Sequence, residues 1–475
     1  MTPKQKKPIK KARVKVDFCN MMSEKLGPEG ITPAEINRLK AKIKQADRSL
    51  REKRDDGKLG FFYLPYDIKI KEEIKKAANA VREKFENFVV IGIGGAAPGT
   101  FALHRALKHP YYNLLPENKR KGPRFFMLDN PDPESACALF DLIDIKKTCV
   151  NIISKSGETA ETAAFLKIFW KKFSLVMKEE KLKEHIVIIT DRINGALRPL
   201  AERHGLMSFA VPDNVCGRFS VLSSAGLFPL AVCGVNIDEL LKGAAYMDTM
   251  VSEASVWKNP AYMMAVLNYI SSVKHKRNIS VMMPYSDALK GVSDWHSQLW
   301  AESLGKKFSR DGRIVNAGLT PVKALGAADQ YSQIQLYMEG PYDKVITFIK
   351  AEKFRQDMEI PSNFNDVESM EYLSGKKLGM LLNGQQAATQ ETLARGQRAS
   401  MTITLPEISE FTIGQLIYLL EAETAFLGEL YNINAFDRPG ADAGKTAAFA
   451  AMGRKSHKDG QKAVKNLKSK NKYII

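Results

Sequence analysis

Between residues 32 and 85, Lys, Glu and Arg surround spaced apolar positions, the pattern of helices laid on the outside of a core. At Phe88 the pattern changes. Short runs of β-branched and aromatic residues now alternate with longer amphipathic segments, which predicts strands at Phe88–Ile93, Pro123–Leu128, Cys149–Ser154, His185–Thr190 and Met207–Val211. Strands that read as near-continuous apolar runs, separated by helices, predict a parallel sheet covered on both faces. A second series follows the Lys258-Asn259-Pro260 break, with strands at Ile279–Pro284 and Lys344–Ile349 and long helices at Pro260–His275 and Gly414–Leu430. The expected fold class is therefore α/β, with two parallel-rich sheets in two successive units. The expected divisions are a basic tail over 1–16, a helical segment over 17–54, domains over 55–245 and 246–455, and a basic tail over 456–475.

Length supports two units, since 475 residues with 44% hydrophobic content exceed the usual size of one domain and exclude a disordered chain. The longest apolar runs, such as 225–233, are too short to cross a bilayer, and no apolar leader follows the basic N-terminus. Five cysteines without a C-x-x-C pair read as reduced core thiols and a cytoplasmic location. The net charge of +18 raises the question of nucleic acid. Its distribution argues against that. Residues 1–16 hold seven Lys/Arg and no acid, and residues 452–475 hold Arg454 and seven lysines against Asp459, so most of the excess lies in the tails. Such tails are expected to be solvated.

Two strand ends carry candidate anion chemistry. The turn Gly92-Ile93-Gly94-Gly95 leads into a helix and turns backbone N–H groups toward a ligand, but the third glycine of a dinucleotide fingerprint would fall at Ala97. The second turn is richer. Ser154-Lys155-Ser156-Gly157-Glu158-Thr159 ends another strand with three hydroxyls and a lysine where a helix begins, which predicts a phosphate site; an ordinary N-cap would need only one of those residues. Arg218, Glu302 and Lys445 each lie beside glycine or small residues in polar clusters.

Taken in order over roughly residues 55–455, these pieces resemble the glucose-6-phosphate isomerases. The matching segments are 92–95, Ser154-Lys155-Ser156-Gly157 with Thr159 and Glu161, Gly217-Arg218-Phe219-Ser220, Gln298 to Lys306, Asp329-Gln330-x-Ser332-Gln333, Glu339-Gly340-Pro341, and Phe436-Asp437-x-Pro439-Gly440 leading to Lys445. The resemblance implies two doubly wound sugar isomerase (SIS) domains and a homodimer with active sites at the interface. It implies a glycolytic and gluconeogenic enzyme without metal or other cofactor, acting on a sugar phosphate, with neither nucleic acid nor membrane as partner. By the same resemblance Glu302 is the base, Arg218 steadies the enediolate, and Lys445 assists ring opening. Gly94, Gly95, Ser154, Lys155, Ser156, Thr159 and Gln298 hold the substrate and its phosphate. Three positions depart from the family pattern. Tyr331 replaces the ring-opening histidine, Ala96 replaces a serine, and Asp442 stands where glutamate is usual. His296, where tyrosine is expected, raises the idea of a reciprocal His–Tyr exchange with Tyr331. The rival reading is a non-catalytic SIS protein that binds sugar phosphates; a mannose-6-phosphate side activity is a further alternative.

Overall fold

The computed structural model describes residues 12–95 and 97–454. Among the described residues, twelve strands appear in chain order: β1 (Lys15–Asp17), β2 (Asn87–Gly92), β3 (Arg124–Leu128), β4 (Thr148–Ser154), β5 (Ile186–Asp191), β6 (Met207–Val211), β7 (Ile279–Pro284), β8 (Lys306–Phe308), β9 (Ile314–Ala317), β10 (Thr320–Lys323), β11 (Lys344–Lys353) and β12 (Ser400–Glu407). The first sheet has the order β3-β2-β4-β5-β6 and is parallel throughout. The second has the order β1-β12-β11-β7-β10, four parallel strands with β1 antiparallel on one edge. Helices cover both sheets, and β8 and β9 form a separate two-stranded ribbon. The result is an α/β fold with parallel and mixed sheets.

Strands β2, β4 and β5 are buried at every position, which is why their sequences show no polar alternation. The centre of the molecule is the helix Glu410–Leu430, buried from Thr412 to Leu430. It packs against the helix Ile237–Val251 at a distance only glycine permits: a Cβ on Gly414 would lie 2.0 Å from the Leu240 carbonyl oxygen. Residue 245 therefore lies inside a helix that packs onto the C-terminal half, and is not a break in the chain.

Two further expectations change. Residues 12–16 are part of the fold rather than of a solvated tail: Val14 is buried, its N–H donates to Gln415 Oε1, and β1 pairs with β12. The rest of the two tails, 1–11 and 455–475, lies outside the described residues. Of the five free cysteines only Cys149 and Cys233 are core residues; Cys19 and Cys137 are exposed and Cys216 is half-buried. Among the described residues no helix is long and apolar enough to cross a membrane.

Candidate active site

The C-terminal ends of β2, β4 and β5 open onto a cavity of about 280 Å³, lined by the loops after these strands and by Gly217, Arg218, Glu302, Phe436 and Arg438. This is the crevice where the strand order reverses, β3 lying on one side of β2 and β4 on the other. Gly95 is required here by packing. A Cβ on it would lie 2.3 Å from the Arg218 nitrogen, so the glycine turn and the Gly217–Phe219 turn touch backbone to backbone.

Arg218 is fixed from below by its neighbour. The Phe219 ring packs between Phe61 and Phe436, at centroid distances of 4.8 and 5.2 Å, and anchors the turn. The guanidinium, 3% exposed, donates from Nε to Ser303 Oγ (2.7 Å) and from Nη2 to the carbonyls of Ala435 and Asp437 (2.5 and 3.1 Å). Its Nη1 faces Glu302 Oε2 at 3.4 Å. Glu302 comes from the helix Lys290–Leu304, in which Trp295, Leu299, Trp300 and Ser303 are buried. Gln298, one turn earlier, donates from Nε2 to Glu302 Oε1 at 2.8 Å. Lys306 Nζ donates to the Glu302 and Ser303 carbonyls and so secures the end of the helix.

The hydroxyls of Ser154, Ser156 and Thr159 line the same cavity. Ser154 Oγ and Thr159 Oγ1 lie 3.0 Å apart, and Thr159, at the N-cap of the helix Ala160–Ser174, makes no capping bond with its side chain. An ordinary cap is thereby excluded as its role. Ser156 Oγ accepts from the Glu158 N–H at 3.3 Å and from Lys445 Nζ at 3.5 Å, which brings the helix Pro439–Ala451 beside the loop. Lys155 also lines the cavity. Its Nζ donates to the carbonyls of Asp213 (2.9 Å) and Val215, and burial holds its pKa below the usual lysine value, so it braces the loop. A Cβ on Gly94 would lie 3.9 Å from Gln298 Nε2, and neither residue lines the cavity itself. Ala96 lies outside the described residues.

A model of phosphoglucose isomerase matches residues 69–474. The chain belongs to the phosphoglucose isomerase family. A glucose-6-phosphate isomerase of Carboxydothermus hydrogenoformans is 43% identical over 97% of this chain and 99% of that one, and one of Rubrobacter xylanophilus is 39% identical over 94% and 100%. Among solved structures, a hypothetical protein of Thermus thermophilus superposes with a TM-score of 0.83 at 36% identity, covering 93% of this chain and all of the other. A glucose-6-phosphate isomerase of Chlamydia trachomatis shares the fold at a TM-score of 0.71 and 24% identity, over 84% of this chain and 76% of that one.

Against the family pattern, the two aromatic positions separate. Tyr331 stands on the helix Ala328–Glu339 and is 78% exposed, its hydroxyl accepting from Gln385 Nε2 at 3.4 Å. It does not line the cavity of its own chain. His296 is buried against Trp300, away from the cavity, and burial pulls its pKa down to about 3. The two residues are therefore not neighbours that trade roles within one chain.

Three polar residues line the cavity that sequence reasoning passed over. Arg438, at the unassigned position before Pro439, brings Nη1 to 3.8 Å from Glu302 Oε2, so two guanidinium groups flank one carboxylate. Asp191 and Asn194 close the loop after β5. Burial pushes the Asp191 carboxyl up, but hydrogen bonds from the N–H groups of Asn194 and Ile193 outweigh it and hold the pKa below the usual value. The position of Asp191 at the end of a third parallel strand was the available signal.

Proposed function

We propose that the chain interconverts glucose 6-phosphate and fructose 6-phosphate through an enediol. What supports this most strongly is one juxtaposition: the Glu302 carboxylate, flanked by two guanidinium groups, and a three-hydroxyl loop line a single cavity of about 280 Å³. Moving a carbonyl from C1 to C2 requires a base that removes a proton from one carbon and returns it to the other. Glu302 takes that role, with Gln298 orienting the carboxylate. Charge then develops on the enediolate oxygens, and Arg218, permanently protonated and fixed by four hydrogen bonds, stabilises it without losing a proton. Ser154, Ser156 and Thr159, with the N–H groups that begin the helix Ala160–Ser174, receive the phosphate. Lys445 assists ring opening and, from its place beside Ser156, contributes positive charge to the phosphate loop. No step needs a metal.

Tyr331 has no function within its own subunit in this scheme. We assign it to the active site of a partner in a homodimer, where it occupies the position of the ring-opening histidine. The exposed apolar surface beside it, including Met358 and Leu378, supports a buried interface there. Sedimentation analysis should return a dimer; a monomer that is fully active would remove Tyr331 from the site.

Because Tyr331 lacks imidazole chemistry at neutral pH, a second reading stands beside the first: a protein that binds sugar phosphates without turning them over. A coupled assay started with fructose 6-phosphate decides between them. Steady formation of glucose 6-phosphate supports the isomerase, and binding without turnover supports the alternative.

A further inference from the structure

The second sheet repeats the topology of the first. In the first sheet the chain runs β2, then β3 on one side, then β4 and β5 on the other; in the second it runs β7, then β10 on one side, then β11 and β12 on the other. All these neighbours are parallel. The strand-order reversal that creates the catalytic crevice beside β2 therefore recurs beside β7, and ligands of open parallel sheets bind outside the carboxyl ends of the strands at such points.

A cavity is found there. It measures about 690 Å³, more than twice the catalytic one, and is lined by the residues that follow β7 (Ser286), β10 (Gly326) and β11 (Phe354, Arg355). Lys108 and His109 close it from the helix Ala97–Leu107 side. Arg355 is exposed and has no hydrogen-bond or ion-pair partner among the described residues. Lys108 is half-buried, its ammonium over the Tyr112 ring, and burial lowers its pKa. The two like charges oppose each other across one cavity, and an anion held between them offsets that repulsion. The acids in this neighbourhood are Asp287 and Glu410, and the Glu410 carboxylate already accepts from the Asn236 N–H. Phe354 and Leu382 supply an apolar wall, so the cavity combines a few polar groups with packing surface, the composition of a small-molecule site.

We propose that this crevice is a second binding site, distinct from the catalytic one, for a small phosphorylated molecule. The phosphate meets Arg355, Lys108 and the Ser286 hydroxyl, and the carbon skeleton lies on Phe354 and Leu382. Glu302, Arg218 and the 154–159 loop line the catalytic cavity and not this one, so the second site can be disabled without touching the chemistry.

The test is stoichiometry on the intact enzyme by equilibrium dialysis, with a radiolabelled phosphorylated sugar acid as probe. The wild type should take up two molecules per chain. Lys108→Ala with Arg355→Ala should take up one while retaining isomerase turnover, and Ser154→Ala with Thr159→Ala should retain the other. Arg355→Lys, which keeps the charge, should recover part of the second site and guards against a folding artefact. Uptake of a single molecule by the wild type overturns the proposal. So does a double variant of Lys108 and Arg355 that folds normally and still binds two.

Discussion

At the scale of single residues, the two histidine positions show how burial decides chemistry. His296 has the sequence neighbourhood of a reactive group, but its imidazole is enclosed and held neutral, whereas Tyr331 is open to solvent. His296→Leu should therefore leave turnover unchanged. Tyr331→His should raise turnover on the cyclic sugar by up to ~10²–10⁴-fold, the range a positioned acid–base group supplies. Stopped-flow comparison of the two variants with wild type measures both effects, and a loss of turnover in His296→Leu would return that residue to the mechanism. Lys155 carries a related lesson. Its position between two serines reads as phosphate binding, but whether an ammonium points at a ligand or at the Asp213 and Val215 carbonyls depends on a loop sixty residues away in sequence. Glu302, Gln298 and Arg218 were legible because each stands in a short motif whose geometry is set locally by one helix or one turn.

At the scale of elements, the helix Glu410–Leu430 holds two carboxyl groups in the core. Burial raises both, Glu421 well above the usual range and Glu423 to about 8, the latter opposed by a hydrogen bond from Asn268. A carboxyl that is neutral when folded and ionises freely when unfolded contributes stability that is complete below pH 4.5. For Glu423 it is lost progressively as pH rises toward 8, at about 1.4 kcal/mol per pH unit while only the unfolded form ionises. Glu423→Gln, which cannot ionise, should gain stability relative to wild type between pH 5 and 8. Urea midpoints at several pH values test this, and a difference that does not vary with pH would mean the carboxyl is already ionised in the core. The elements themselves were unequally legible. The strands of the first sheet were predicted to within about one residue, the central three because they are buried at every position and read as unbroken apolar runs. β12 was missed because Ser400, Thr402 and Thr404 give it the polarity of a loop, although Ser400 and Thr402 are buried. β10 was missed because it is a short edge strand interrupted by Pro321.

At the scale of the whole molecule, composition separates the fold from its ends. Removing residues 1–11 and 456–475 should leave the melting temperature and turnover nearly unchanged, since the matched motifs and the described core lie between them. Extending the N-terminal cut through residue 16 should lower the melting temperature, because it removes buried Val14 and most of β1. Calorimetry on the two truncations distinguishes these outcomes; equal melting temperatures would show that β1 adds nothing to the second sheet. The two-sheet plan was visible in the sequence, but the packing that joins its halves was not, since Gly414 against the helix Ile237–Val251 is a contact between distant segments.

The central claim is that one carboxylate moves the proton between C1 and C2 in the cavity at the end of the first sheet. Glu302→Gln keeps the shape and the hydrogen bond from Gln298 but cannot accept the proton. Its turnover of fructose 6-phosphate should fall by at least ~10²–10⁴-fold, the contribution of a general base, while the inhibition constant of a phosphorylated sugar acid, measured with residual activity or by calorimetry, stays close to that of the wild type. Turnover within a few-fold of wild type in Glu302→Gln, with binding unchanged, would contradict the account and place the base elsewhere.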